Sequence, residues 1–458
     1  MKTIEQSAFA RSLNGHRVVV VGLGRTGVAT TRLLAGLGAR VTVSDAKASS
    51  ELGEAAAALP DGVESAFGGH PLELFRRAHL VVTSPGVAWD APPLAAAREA
   101  GVEVISEIEL SWRLLPIPWV AVTGSNGKST TTTLIGQMAQ AAGLRVVVGG
   151  NIGTPVAGLV EEAADADYLV AEVSTFQIEG IRDFRPSIAL VLNVTEDHLD
   201  RHGSFGAYAN LKRRIYAAQG ITDSVVLNDG DPLLLGWGRE GRSRRFAFRA
   251  DGPVDRGAFR HGEEVRWREN GREEHLYGLE VLSADAKRNV ENVLAATCVA
   301  CLMGVAPDQM VEVLGRFGGL EHRMEEVATI EGVTFINDSK GTNVGAVMNA
   351  LKSVDRPVVL IAGGQDKGSD FSPLCELVSE KVRAVVLIGE AAERLSLILN
   401  GYAFVERAEN LEAAVSTAFL MAKPGEVVLL SPACASFDSF RDFEERGLSF
   451  KAAVKGLL

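Results

Sequence analysis

Short runs of β-branched and aliphatic residues recur along the chain, and most of them stop at a glycine or a polar cluster. His16–Val21, Arg40–Ser44, His79–Thr83 and Val102–Ser106 form a first set. Continuous rather than alternating apolar runs predict strands covered on both faces, as in parallel sheets. Between them the apolar positions fall at helical spacing, first in a stretch that ends near Leu37. Trp119–Thr123, Arg145–Val148, Tyr168–Val173 and Ser187–Val194 form a second set, with a helix predicted over Thr131–Ala142. Thr334–Ile336, Val358–Ala362, Ala384–Ile388 and Glu426–Leu430 form a third. Strands alternating with helices predict α/β architecture, with ligands at the carboxyl ends of the strands. The pattern predicts three α/β domains, over residues 1–106, 107–319 and 320–458, with Gly318-Gly319 as the hinge into the last.

Two glycine turns follow strands. His16–Val21 runs into Gly22-Leu23-Gly24-Arg25-Thr26-Gly27, a full G-x-G-x-x-G, and Asp45 closes the next strand. Read alone, this segment indicates a dinucleotide such as NAD, with Asp45 on a ribose, but the same turn serves any nucleotide whose phosphates approach a helix N-terminus. The second turn is Gly124-Ser125-Asn126-Gly127-Lys128-Ser129-Thr130, between Trp119–Thr123 and a helix. Backbone N–H groups there converge on a polyphosphate, Lys128 adds positive charge, and the Ser129 hydroxyl suits Mg²⁺. The first glycine of the general pattern G-x-x-x-x-G-K-[ST] is absent, since Val122 stands at that position.

Other polar groups gather where strands end. Asn151 lies in the turn after Arg145–Val148, Glu172 near the end of Tyr168–Val173, and His198 in Thr195–Asp200. A carboxylate beside a phosphate loop is a candidate Mg²⁺ ligand, and His198 a candidate metal ligand or phosphate contact. Tyr208–Tyr216 reads as a basic helical stretch with a solvated face. Ala258–Trp267 alternates and reads as part of peripheral hairpins and surface loops. Asp285–Met303 predicts one long helix with Asn289 and Asn292 on one face. The four cysteines are too few for a disulfide framework, and Cys298 and Cys301 fall within that helix, where packing explains them. The net charge of −12 argues against nucleic acid as the main partner. Met1–Gly15 has no apolar signal core, and no run approaches the roughly 18 apolar residues that span a bilayer, so a cytoplasmic protein with no membrane partner is expected.

Taken together, these residues resemble the Mur ligases, ATP-dependent amide-forming enzymes of peptidoglycan precursor synthesis. The resemblance covers nearly the whole chain. Thr123–Thr130 is similar to the family's ATP loop, which itself lacks the usual first glycine. Asn151, Glu172, His198, Asn289, Asn292, Arg323, Asp338 and Lys340 stand where the family has its common residues. Gly22–Gly27, Asn337–Asn343 and Ser431–Phe440 suggest the D-glutamate-adding branch, and the D-N-P-R type motif of the diaminopimelate- or lysine-adding branch is absent.

The resemblance implies a Rossmann-like first domain binding the UDP of UDP-N-acetylmuramoyl-L-alanine, with Arg25, Thr26, Asp45, Ser84, Pro85 and Gly86 in contact and Asn151 and His198 assisting. It implies a central P-loop ATPase-like domain holding ATP through Gly124–Thr130, Asn289, Asn292, Arg323 and Asp338. Two Mg²⁺ ions would be held by Ser129, Glu172, His198 and a carbamylated Lys212, the lysine of Tyr208-x-x-x-Lys212. Lys128, His198, Lys212 and Lys340 would be catalytic. A Rossmann-like C-terminal domain would bind D-glutamate through Thr342, Lys367, Ser436, Phe437 and Phe443. The enzyme implied is a monomer that serves cell-wall growth, and with it cell shape, division and the cell cycle. An NAD oxidoreductase would leave Gly124–Ser129 unused, and a non-catalytic ATP-binding protein would not need Glu172, His198 and Lys340. A folylpolyglutamate synthetase-like ligase would not be expected to carry a nucleotide-type first domain.

Overall fold

The computed structural model describes residues 7–238, 241–366 and 368–457. Its first sheet holds β1 (Arg17–Val21), β2 (Arg40–Asp45), β3 (Glu64–Phe67), β4 (Leu80–Thr83) and β5 (Glu103–Ser106). They are parallel, in the order β3-β2-β1-β4-β5. The order reverses direction between β1 and β4, which opens a crevice at their carboxyl ends. Helix α1 (Arg25–Gly36) leaves the glycine turn and α2 (Ser49–Ala57) joins β2 to β3. The other face is covered by α3 (Leu72–Arg76) and α4 (Pro92–Glu99), whose Phe75 and Leu94 pack with Val19, Val21 and Val81.

Helix α5 (Glu107–Leu114) fastens this sheet to the next. The Glu109 carboxylate, fully buried, accepts the N–H groups of Arg182 (2.8 Å), Asp183 (3.1 Å) and Phe184 (2.9 Å) and the Arg113 guanidinium (2.8 Å). Glu107, also buried, accepts the Ala157 N–H at 2.6 Å.

The second sheet runs through β6 (Trp119–Thr123), β7 (Val146–Gly150), β8 (Tyr168–Glu172), β9 (Ile188–Val191), β10 (Ser224–Asn228), β11 (Arg244–Arg249), β12 (Gly257–His261), β13 (Glu264–Glu269) and β14 (Arg272–Gly278). Its order is β14-β13-β12-β11-β10-β9-β6-β8-β7. The main helices here are α6 (Lys128–Ala141), α7 (Phe205–Arg213) and α8 (Val290–Leu302). The third sheet holds β15 (Glu325–Ile330), β16 (Val333–Asn337), β17 (Val358–Gly363), β18 (Val382–Ile388), β19 (Phe404–Arg407) and β20 (Val427–Leu430), ordered β15-β16-β20-β17-β18-β19. Only β15 is antiparallel to its neighbour there. Apolar layers line both faces of this sheet, with α9 (Val344–Ser353) on one and α10 (Phe443–Lys455) on the other.

The chain divides into two compact units. The first two sheets belong to one, with the chain through Val194, Ala209–Ser283 and Asn289–Arg316. The third sheet belongs to the other, with Thr195–Tyr208, Ala284–Arg288 and the chain from Phe317 onward.

Three expectations need correction. The long helix over Asp285–Met303 is two, Ala284–Arg288 and α8, because Asn289 leaves helical geometry (φ −120°, ψ 37°). The segment Tyr208–Tyr216 is not simply a solvated face: Lys212 at its centre and Tyr208 and Tyr216 at its ends are buried. The segment around Ala258–Trp267 does form a hairpin, but β12 pairs with β11 and so extends the central sheet, burying Phe246, Phe248 and Phe259.

Candidate active site

Gly124–Thr130 carries the chain from the carboxyl end of β6 into α6. Gly127 caps the helix with φ 83°, and a Cβ there would lie 2.2 Å from Oδ1 of Asn292. Only glycine fits that position, and the contact seats Asn292 against the loop. Asn292 in turn donates to Oδ1 of Asn289 at 3.3 Å, so the two predicted asparagines do meet across the helix break. From the other side Asn193 clamps the loop. Its Oδ1 accepts the Asn126 N–H (2.9 Å), its Nδ2 donates to the Asn126 carbonyl (3.1 Å), and its own carbonyl accepts the Ser125 N–H (3.0 Å). Sequence reasoning missed Asn193. The available signal was a carboxamide just past the end of the strand beside β6.

The charges gather on one carbonyl. Lys128 Nζ donates to the carbonyls of Gly124 and Ser125, each at 2.9 Å, and Lys212 Nζ donates to the Gly124 carbonyl at 2.8 Å. Lys212 is 1% exposed, so it is not an ordinary surface lysine. Beneath the loop, β8 pairs with β6 so that Glu172 stands opposite Val122. Its carboxylate, 1% exposed, accepts from Ser129 Oγ (2.7 Å) and from Asn151 Nδ2 (2.8 Å). Lys128, Ser129, Asn151, Glu172, Lys212, Asn289 and Asn292 therefore belong to one constellation around the loop. A half-buried ammonium, a second buried one, and a hydroxyl paired with a carboxylate suit a polyphosphate and a hard cation.

In the first sheet the predicted residues lie at the carboxyl ends of β1, β2 and β4. Asp45 accepts the N–H groups of Leu23 (2.7 Å) and Lys47 (2.9 Å), so its carboxylate shapes the glycine turn itself. Ser84 Oγ donates to the Gly22 carbonyl at 2.9 Å, and Arg25, Thr26, Pro85 and Gly86 sit on the accessible rim.

The second unit carries the remaining candidates. Asp197 accepts the His198 N–H (2.9 Å) and Asn343 Nδ2 (2.9 Å), and His198 adopts left-handed backbone (φ 53°) as it caps Leu199–His202. Arg323 lies between two more left-handed residues, His322 (φ 63°) and Met324 (φ 47°), and its buried Nε has no partner among the described residues. Burial lifts the Asp338 carboxyl to about 6, against the pull of Arg323. It accepts from Ser431 Oγ (2.7 Å) and the Met324 N–H (3.3 Å). Lys340 Nζ lies 5.0 Å above the Phe443 ring. Thr342 is half-buried, Ser436 buried and Phe437 67% exposed, while Lys367 falls outside the described residues. A further residue escaped sequence reasoning: Arg446, which is buried and donates to the carbonyls of Ser339 (2.8 Å), Cys434 (3.2 Å) and Ala435 (3.2 Å). It binds the two loops that carry Lys340 and Ser436. Glu321, His322 and Glu325 cluster within 4.8 Å as metal ligands would, but Lys451 Nζ already contacts both acids, at 2.8 and 2.7 Å.

Residues 16–106 match the Mur ligase MurD-like N-terminal domain, 122–300 the Mur ligase middle domain, and 322–434 the Mur ligase glutamate ligase domain. The chain is a Mur ligase. A UDP-N-acetylmuramoylalanine–D-glutamate ligase of Pelobacter propionicus is 45% identical over 446 residues, which are 97% of this chain and 100% of that one. The ligase of the same name from Acidobacterium capsulatum is 44% identical over 96% of each chain. Among solved structures, a pseudomurein peptide ligase type C from Methanothermus fervidus superposes with a TM-score of 0.61 at 18% identity, covering 97% of this chain and 100% of that one. A MurF ligase from Thermotoga maritima in complex with ADP superposes with 0.59 at 15% identity, covering both chains fully. These distant structures share the three-sheet ligase fold. The family is one of ATP-dependent ligases, and among the described residues no helix is long and apolar enough to cross a membrane.

Proposed function

We propose that this Mur ligase joins D-glutamate to UDP-N-acetylmuramoyl-L-alanine, converting ATP to ADP and phosphate. The observation that carries the reading is 45% identity, end to end, to a ligase named for that reaction. The constellation around Gly124–Thr130 suits its first half. A substrate carboxylate oxygen attacks the γ-phosphorus, the bond to the ADP oxygen breaks, and an acyl phosphate results. The amine of D-glutamate then adds to the acyl carbon and loses a proton, and the tetrahedral intermediate expels phosphate. An anion meets an anion in the first step, so cationic groups must be in place beforehand. Lys128 is the resident one, fixed by two carbonyls of the loop.

Ser129 and Glu172 fit a Mg²⁺ ion, being a hydroxyl and a carboxylate 2.7 Å apart, both buried. When bound, the ion would offset phosphate charge and steady the transferring phosphoryl group. In this reading His198 and Lys212 serve a second Mg²⁺, Lys212 as the carbamate formed when its neutral amine takes up CO₂. An ammonium has no lone pair for a metal, whereas a carbamate offers two oxygens. Arg25, Thr26, Asp45, Ser84, Pro85, Gly86 and Asn151 bind the UDP substrate. Asn289, Asn292, Arg323 and Asp338 bind ATP, while Thr342, Lys367, Ser436, Phe437 and Phe443, with Lys340, serve D-glutamate. The reading makes the protein a cytoplasmic monomer that acts on small molecules.

The acceptor is tested by ADP formation with UDP-N-acetylmuramoyl-L-alanine and a panel of amino acids. D-glutamate should be preferred over D-alanine by two orders of magnitude or more, about what a site with matched donors gains over an analogue that leaves them unpaired. Equal rates with D-alanine would refute the assignment. For the carbamate, Lys212→Ala should lower ADP formation by roughly tenfold or more. Added acetate should restore part of it, because a free carboxylate replaces the missing oxygens. Full activity of Lys212→Ala in CO₂-depleted buffer rules the carbamate out.

A further inference from the structure

A cleft of about 800 Å³ opens at the amino-terminal end of the first sheet, the opposite end from the glycine turn. The topology produces it. Phe75 of α3 and Leu94 of α4 pack with Val19, Val21 and Val81 of β1 and β4 on one face of the sheet. Glu73, Leu74, Arg77 and Ala78, in and just after α3, line the cleft together with the starts of β1, β2 and β3. Arg17 and Arg40 stand in register on β1 and β2, on the same side of the sheet as Val19. Arg77, at the end of α3, joins them across the cleft.

The charges there are unbalanced. Like charges directly opposite on neighbouring strands are unfavourable unless something stands between them. Arg17 Nε donates to the Arg77 carbonyl at 2.9 Å, which fixes these two residues side by side. The Arg40 guanidinium makes no hydrogen bond or ion pair with any described residue. Two acids share the cleft: Glu73 pairs with Arg77 (3.5 Å) and with Arg76 (3.0 Å), and Glu64 accepts from Thr42 Oγ1 (3.2 Å), so Arg17 and Arg40 are the cleft's cations with no carboxylate partner among the described residues. Behind the arginines, His79 stacks on His16 with ring centroids 4.7 Å apart, and its Nδ1 accepts the Arg17 N–H at 3.0 Å. Desolvation and the positive charges of Arg17 and His16 hold the His79 imidazole below its ordinary value.

We propose that this cleft binds a phosphate-bearing small molecule, with the forked guanidiniums of Arg17 and Arg40 on its oxygens. The planar fork of a guanidinium can engage two oxygens of a phosphate at once. The site lies at the wrong end of the strands for the reaction, so its ligand binds without entering the chemistry. The proposal does not depend on which amino acid the enzyme adds.

His79 supplies the reporter. The full-length enzyme is titrated with inorganic phosphate and, separately, with phenyl phosphate, while the His79 ring protons are followed by NMR. The peak is assigned with a His79→Gln variant. A bound anion should give a saturable shift and raise the His79 pKa by about half a unit or more. Arg40→Ala should weaken this binding at least tenfold and leave the KM for ATP unchanged. Lys128→Ala should keep the His79 response, which separates it from phosphate at the ATP loop. A response to phenyl phosphate alone identifies a phosphomonoester as the ligand, and a response to both identifies the phosphate group itself. A shift that does not saturate, that sodium chloride of equal ionic strength reproduces, or that survives in Arg40→Ala overturns the proposal.

Discussion

Lys128→Ala should lower ADP formation by about a thousandfold, the upper range for removing one preorganised charge from a transferring group. Its ammonium is aimed by the carbonyls of Gly124 and Ser125, both at 2.9 Å, so it meets a phosphate without reorganising first. The loop should survive its loss. Asn193 still holds Ser125 and Asn126 by three hydrogen bonds, Lys212 still holds the Gly124 carbonyl, and Gly127 still rests on Asn292. Circular dichroism and the denaturant midpoint should therefore match the parent. ADP formation near the parent rate in such a folded variant would remove the ATP site from Gly124–Thr130.

Glu107→Gln should stabilise the protein at pH 8 and leave it unchanged at pH 4. Burial lifts the Glu107 carboxyl from 4.5 to about 7, although the N–H groups of Ala157 and Val156 and the Gln177 side chain draw it down. Below pH 4.5 the group is protonated in both the folded and the unfolded chain and contributes no pH dependence. Between that value and about 7 the unfolded chain releases its proton while the folded chain keeps it, so stability falls as pH rises. Above this window both states are ionised and the loss levels off, at about 3 kcal/mol. Glutamine cannot ionise, yet its Oε1 can still accept the Ala157 N–H. The measurement is the difference in unfolding free energy between parent and variant at the two pH values. Equal stability at pH 8, or a gain that persists at pH 4, contradicts the mechanism.

What could be read in the sequence follows burial. The central strands β1, β4, β6, β9, β16, β17 and β20 are covered on both faces, and their unbroken apolar runs announced them. Glu64–Phe67, Glu325–Ile330 and Phe404–Arg407 were not foreseen, and all three are edge strands with one side open to water, where polar residues break the pattern. Ser224–Asn228, β10, was also not foreseen. In the candidate site, Lys128, Ser129 and Glu172 were legible because each sits at a fixed step from a glycine or a strand end. Lys212 was singled out through the Tyr208-x-x-x-Lys212 spacing and the family resemblance, but only the fold shows that its ammonium is buried and reaches the Gly124 carbonyl, far away in the chain. Asn193 and Arg446 bind backbone groups of other loops, and the identity of those backbone partners leaves no mark in a sequence.

The helix Glu107–Leu114 also bears on how such ligases could be recombined. A chimera cut at Ser106 would seem natural, because the first sheet ends there. Yet Ser106 donates its N–H to the Gly180 carbonyl at 2.9 Å, and a Cβ on Gly180 would lie 2.5 Å from the Ser106 nitrogen. Glu109 collects the N–H groups of three successive residues, Arg182, Asp183 and Phe184. Arg113 meanwhile joins Glu103 at 3.0 Å to Glu109 at 2.8 Å. A transplanted first domain therefore has to bring its own partners for these groups. The exchangeable module is the first sheet together with α5 and the turns around residues 157 and 180–184, discontinuous in the chain but continuous in hydrogen bonding.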